Sequence, residues 1–262
     1  MKALEKYLKT RKKTLLRLLE KPEKKYTTAT FHQLRVEIKK LNALFDLVDS
    51  SSKKFSRKKM ITPFKTIFRQ AGKVRNLQIE EACFKKHIQD DQLTEYRARL
   101  KKRQLKKTRL FLSLINDKTT AQLKNKYDKT TPFLSSIDNE KVDEYMLKKR
   151  EKIKNFLSQP NLEIDQLHQL RKLLKIYYYN QISLSLEQQK QKISMKEPLT
   201  ELLGKWNDGM LIIGHLQKTI EKANVNLEEI ALLETLKIKI TAENNVLFDQ
   251  IKLAISESEL FE

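Results

Sequence analysis

The feature that most limits this chain is its shortage of turn-forming residues. Four Gly and five Pro are spread over 262 residues. Hairpin sheets draw on such residues at nearly every tight turn, whereas long helices need few of them. Leu, Lys, Glu and Gln fill the intervals, and these residues give up little side-chain freedom in a helix. The expectation is an all-α protein.

Apolar spacing supports that reading. Leu4, Leu8, Leu15, Leu18 and Leu19 recur at helical intervals, which predicts a helix over 2–20 that ends at Lys21-Pro22-Glu23. Thr27, Thr28 and Thr30 are N-cap candidates for a helix that begins near Phe31 and runs to about Asp49. A basic connector follows, with Pro63 expected at the start of the next helix. Further helices are expected over 92–115, over 141–157 with Pro160 ending it, from near His168 to about Gln191, from Pro198 onward, and over 227–256. A short helix is expected after the break at Asn116. Thr130-Thr131-Pro132 is then the natural boundary between two halves.

Within the second helix, His32, Arg35 and Lys39 fall on one stripe, and Leu34, Ile38, Leu41, Phe45 and Val48 on another roughly 130° away. The tetrapeptide His-Gln-Leu-Arg returns at His168–Arg171, with Lys175 again seven residues after the His. Gly72-Lys73 likewise returns as Gly204-Lys205. Two repeats at nearly the same offset imply a duplicated unit. The architecture expected is two pseudo-symmetric antiparallel four-helix bundles, 1–130 and 131–262, packed into one elongated unit.

The charge is lopsided. Residues 1–130 hold 36 of the 54 Lys and Arg and 13 of the 33 Asp and Glu, so this half is net +23 and the other net −2. Such a field suggests a polyanionic partner, although a solvated basic surface is the plainer reading. The stripe itself admits two readings. It can satisfy carboxylates such as Glu37, Asp46 or Asp49, or it can form an anion site, in which Arg supplies a planar fork, Lys a mobile charge and imidazole a short-range donor. Beside phosphate, His32 and His168 would gain proton affinity.

No phosphate loop, nucleophile elbow, Cys-x-x-Cys or His-Glu-x-x-His occurs. The expectation is therefore no catalytic residue, no metal ligand and no cofactor. No apolar run reaches membrane-span length, and the single Cys83 fits a reducing cytoplasm. His87 is expected at the surface, His215 packed or on a helix face, Trp206 in the core, and Tyr177-Tyr178-Tyr179 in helix packing.

At this point the chain resembles a family, the conserved-histidine α-helical or CHAD domain. His32-Gln33-Leu34-Arg35-Val36-Glu37-Ile38-Lys39-Lys40-Leu41 is similar to its His-x-x-Arg-Val signature, with the basic pair and Leu that follow. His168-Gln169-Leu170-Arg171 resembles the second copy. Gly72–Asn76 and Gly204–Asp208 resemble the family's Gly-x-x-Arg-Asp, with Asn76 in place of Asp and Asn207 in place of Arg. Leu174 and Ile176 stand where basic residues are common.

The resemblance implies non-enzymatic binding of inorganic polyphosphate in a basic groove, in the cytoplasm and at polyphosphate granules. On this reading His32, Arg35, Lys39 and Lys40 form the centre with His168, Arg171, Lys172 and Lys175. Arg69, Lys73 and Arg75, then Arg99, Lys102, Lys106 and Arg109, extend the track, and Lys9, Arg11 and Lys12 flank it. Nucleic acid would compete at low salt. The alternatives are a helical nucleic-acid binder and a scaffold for an acidic protein.

Overall fold

The computed structural model describes residues 2–89, 91–159, 162–184, 197–222 and 225–256. Among these it contains the helices α1 (Lys2–Leu19), α2 (Thr28–Ser51), α3 (Arg57–His87), α4 (Thr94–Leu112), α5 (Asp117–Ser135), α6 (Asn139–Leu157), α7 (Ile164–Leu184), α8 (Glu197–Glu221) and α9 (Leu227–Ser256). The described residues show no strand, and no helix is long and apolar enough to cross a membrane.

Capping explains several of the boundaries. The Thr27 side chain accepts the backbone N–H of Thr30 and starts α2; Asn116 does the same for Thr119 at α5, and Asp138 for Glu140 at α6. The expected helix from His168 to about Gln191 is α7 as far as Leu184; residues 185–191 and Pro160 lie outside the described residues.

Two prolines do not act as boundaries. The third helix begins at Arg57, not at Pro63, because Asp49 Oδ1 accepts the Arg57 N–H at 2.7 Å and Ser56 stands ready as a cap. Pro63 then sits inside the helix, where Met60, Ile61, Phe64, Ile67, Ala71 and Val74 form one continuous buried stripe. Similarly, α5 runs through Pro132 to Ser135, so Thr130-Thr131-Pro132 does not break the chain. Leu123, Tyr127, Thr130 and Leu134 are buried along one face there. An interior Pro costs about 3 kcal/mol, which the burial of two or three such side chains outweighs.

The described residues form two compact units, and these do not follow the halves of the sequence. The first takes 2–72 and 110–184, the second 73–109 and 197–256. Each therefore draws on both sides of residue 130. In the first unit α1 packs on α2, α5 and α7, and α2 packs on α6 and α7. The two motif helices α2 and α7 are thus direct neighbours. The core of this unit is aromatic: Phe31 and Phe111 meet edge to face at 5.0 Å, Phe64 and Tyr127 at 5.4 Å, and Phe55 and Phe133 at 5.2 Å. In the second unit α8 packs on α9 around Leu77, Phe84, Leu93, Tyr96, Leu100, Leu216, Leu233 and Leu236. Trp206 is buried there, and Tyr177 and Tyr179 are buried in the first unit.

Two carboxylates organise the charges of the first unit. Glu37, with 4% of its side chain exposed, accepts from Arg11 Nη1 on both oxygens, at 2.9 and 2.8 Å, and from Lys40 at 3.1 Å. Asp46 receives Arg57 on one oxygen, and Lys149 at 2.8 Å and the Tyr145 hydroxyl at 2.6 Å on the other. Burial alone would raise the Asp46 carboxyl, but hydrogen bonds from Lys149 and Tyr145, with the Lys149 and Arg57 charges, bring it below its usual value. Asp46→Ala would strand two cations and a phenol. It should lower unfolding free energy by about 3 kcal/mol in urea titration, and a loss under ~1 kcal/mol would disprove this account of the pair of cations.

Candidate functional site

The structure divides the expected site residues between the units. The first holds Lys9, Arg11, Lys12, His32, Arg35, Lys39, Lys40, Arg69, His168, Arg171, Lys172 and Lys175; the second holds Lys73, Arg75, Arg99, Lys102, Lys106 and Arg109. In the first unit His32 is exposed on α2, while Arg35, Lys39, Lys40, His168, Arg171 and Lys175 are half-buried.

Some of these cations have internal duties. Arg11 and Lys40 hold Glu37, and Lys12 reaches Asp128 at 2.5 Å. Arg35 of the motif is a packing residue as well as a charge. Its guanidinium lies 4.1 Å from the centre of the Phe68 ring, and Nη1 donates to the Phe68 carbonyl at 3.0 Å. A Cβ on Gly72 would come within 2.1 Å of that same Nη1. The His-x-x-Arg and Gly-Lys motifs are therefore one contact: Gly72 leaves the space that Arg35 fills. At Gly204, the repeat of Gly72, a Cβ would meet nothing within 4 Å.

The carboxylates considered as partners for the stripe hold other groups. Glu37 holds Arg11 and Lys40, Asp46 holds Arg57 and Lys149, and Asp49 caps α3. His168 feels mainly cations. Burial first, then Lys172 and Arg171 on its own helix, push it below the ordinary 6.5, with Asp165 opposing. An imidazole in that setting is biased neutral until an anion arrives.

The second unit carries a cleft of about 630 Å³. One wall is α4, with Arg99, Lys102, Arg103 and Lys106; the other is the end of α8, with His215 and Lys218, and Lys222 in the turn just after it. Arg109 is not part of it. Behind the cleft, Glu80 is completely buried. It accepts the Tyr96 hydroxyl on one oxygen and meets His215 Nδ1 at 2.8 Å on the other. Burial and the Glu80 charge raise the Tyr96 phenol well above its usual range, so it stays a donor.

Arg103, His215, Lys218 and Lys222 were not anticipated from sequence. The signal was present, because His215-x-x-Lys218-x-x-x-Lys222 repeats the i, i+3, i+7 spacing of His32, Arg35 and Lys39. His87, expected at the surface, keeps only 5% of its side chain exposed and lies 3.5 Å from Glu243. The packing of α3 in the second unit covers its ring, and desolvation lowers its proton affinity.

The geometry describes a helical protein with cations gathered on helix faces. Two solved structures share its fold. The crystal structure of the CHAD domain from the plant Ricinus communis superposes with a TM-score of 0.81 at 14% identity, over 99% of this chain and 92% of that one. PptA from Streptomyces chartreusis gives 0.71 at 12% identity, over 98% and 99%. No curated protein matches by sequence. The CHAD domain model matches residues 4–217, and the chain belongs to the CHAD domain family.

The Arg35–Gly72 contact makes a double-mutant prediction. Gly72→Ala alone should change stability by less than about 1 kcal/mol, because the helix-propensity gain of about 1 kcal/mol offsets the displacement of Arg35. In an Arg35→Ala background the same change should stabilise by about 1 kcal/mol, since nothing then fills the space. Equal effects in the two backgrounds, measured by chemical denaturation, would contradict the contact.

Proposed function

We propose that this protein is a non-enzymatic binding module for inorganic polyphosphate, acting where the cytoplasm stores or handles that polymer. Its centre is the pair of motif helices, with His32, Lys39, His168, Arg171, Lys172 and Lys175 supplying charge and Arg35 fixing α2 against α3. The two copies derive from an internal duplication, and a basic groove runs along them. The observation that carries this reading is the direct packing of α2 on α7, because it brings both His-x-x-Arg-x-x-x-Lys helices together in one unit. Family membership and the charge excess support it. A linear polyanion suits rows of cations, since each added phosphate contact is charge-assisted and the contacts accumulate along the chain.

The test is competition. Long-chain polyphosphate bound at about 150 mM salt should resist equal charge concentrations of duplex DNA and RNA, and affinity should fall steeply as salt rises. Displacement by nucleic acid at equal charge would favour a general nucleic-acid binder instead, and retention on neither polymer would favour a protein scaffold. Arg171→Gln with Lys175→Gln should weaken polyphosphate binding at least tenfold, as judged by filter retention.

Protons should move with the ligand. His168 starts below 6.5 in the ligand-free protein, and phosphate oxygens would raise it. A group whose pKa rises on binding takes up protons, so affinity should increase as pH falls through about 6.5. Calorimetry in two buffers of different ionisation enthalpy should show net proton uptake near pH 6, and His168→Asn should abolish most of it. Proton release would refute the placement of phosphate beside this ring.

A further inference from the structure

The cleft of the second unit has a chemistry of its own. Its lining includes six basic side chains: Arg99, Lys102, Arg103 and Lys106 from α4, Lys218 from α8, and Lys222 from the turn that follows α8. No Asp or Glu lines it. Among the described residues, Arg99 is the one of the six with an ion-pair partner, Glu95 at 2.5 Å. Packing so many like charges around one concavity is unfavourable without a counter-charge. The concavity is also built rather than incidental: its floor is apolar, from Leu100 and Val225, and its back wall is the Glu80–Tyr96–His215 group.

That group fixes the state of the imidazole. The Glu80 carboxylate accepts at Nδ1, so the proton sits on Nδ1 and Nε2 is left as the ring atom available to a ligand. The two cationic rows are short. From Arg99 to Lys106, and from His215 to Lys222, is seven residue steps, or about 10 Å at the helical rise. Rows of this length match a compact ligand of a few linked phosphates, not an extended polymer lying across many turns.

We propose that this cleft is a second, separate anion site, which takes a short run of condensed phosphates of the triphosphate class. Lys218 and Lys222 on one wall and Lys102, Arg103 and Lys106 on the other contact the phosphate oxygens. The chemistry is shared by inorganic tripolyphosphate and by the triphosphate of a nucleotide. The site does not use the motif helices of the first unit, so it stands apart from the polyphosphate reading given above.

Isothermal titration of the full chain with tripolyphosphate, at about 150 mM salt and without added metal, tests it. One equivalent should bind. Lys218→Gln with Lys222→Gln, both exposed and so harmless to folding, should weaken that binding at least tenfold and reduce the slope of log K against log salt by about one to two. Arg171→Gln with Lys175→Gln should leave it within twofold. ATP added in competition separates the two sources: full displacement at equal concentration assigns the site to any triphosphate group, and poor displacement assigns it to the inorganic chain.

The proposal is overturned if tripolyphosphate does not bind the wild-type protein, or if it binds the Lys218/Lys222 double variant as well as wild type. It is also overturned if the Arg171/Lys175 variant loses tripolyphosphate binding to the same extent. Long-chain polyphosphate titrated in parallel keeps the two readings distinguishable. Loss of polymer binding with tripolyphosphate retained would sink only the polymer reading, and the reverse would sink only this one.

Discussion

The first unit depends on the sharing of a few carboxylates among many cations. With 54 basic and 33 acidic residues, the chain cannot pair every charge, and it does not try. Glu37 and Asp46 are each placed deep and each serve two cations from different parts of the chain: Arg11 and Lys40 for one, Arg57 and Lys149 for the other. A carboxylate so placed is worth more than an exposed ion pair, because it is desolvated and its lone pairs are filled. The consequence is a division of labour among basic side chains. Those that meet Glu37 and Asp46 tie α1, α2, α3 and α6 together, and the remaining cations can gather on faces turned elsewhere.

Arg35 shows how one motif position can belong to both classes. On the sequence it reads as the middle donor of a ligand stripe. In the structure its guanidinium stacks on Phe68, bonds the Phe68 carbonyl and occupies the space left by Gly72. A planar cation can do this where Lys cannot, since stacking on an aromatic face and forking to a carbonyl are both properties of guanidinium. The Gly that follows 37 residues later is therefore intelligible without any backbone requirement: a side chain there would collide with the arginine.

Much of this was legible in the sequence, and the parts that were not have physical causes. Helix existence followed from apolar periodicity, and the cap at Thr27 was readable because a side-chain oxygen three residues before an amide is a local event. Pro63 and Pro132 misled because burial of Phe64 or Leu134 is a tertiary gain that local propensity does not contain. The compact units cut across the two halves because α2 meets α7 and α8 meets α9, pairings that repeat spacing alone does not specify. His87 misled for a similar reason: Lys85 and Lys86 mark an exposed stretch, yet the ring beside them turns inward toward Glu243. The cleft was half visible. Its α4 wall was read from Arg99, Lys102 and Lys106, whereas its α8 wall was passed over because the second half of the chain has almost no net charge. Net charge sums over a surface, and a site is a local excess.

The same i, i+3, i+7 spacing thus occurs three times, and what differs is the group behind the histidine. His168 is desolvated first and then flanked by Lys172 and Arg171, with Asp165 opposing more weakly, and so resists protonation until an outside negative charge compensates. His215 has Glu80 directly on Nδ1, which holds the ring in one orientation. An imidazole of the first kind makes binding sensitive to pH, because the ligand must bring the charge that permits the proton. An imidazole of the second kind is oriented before any ligand arrives, and an oriented ring loses less freedom when it engages. Two histidines with identical spacing on their helices therefore sit in different surroundings, one among cations and the other against a buried carboxylate.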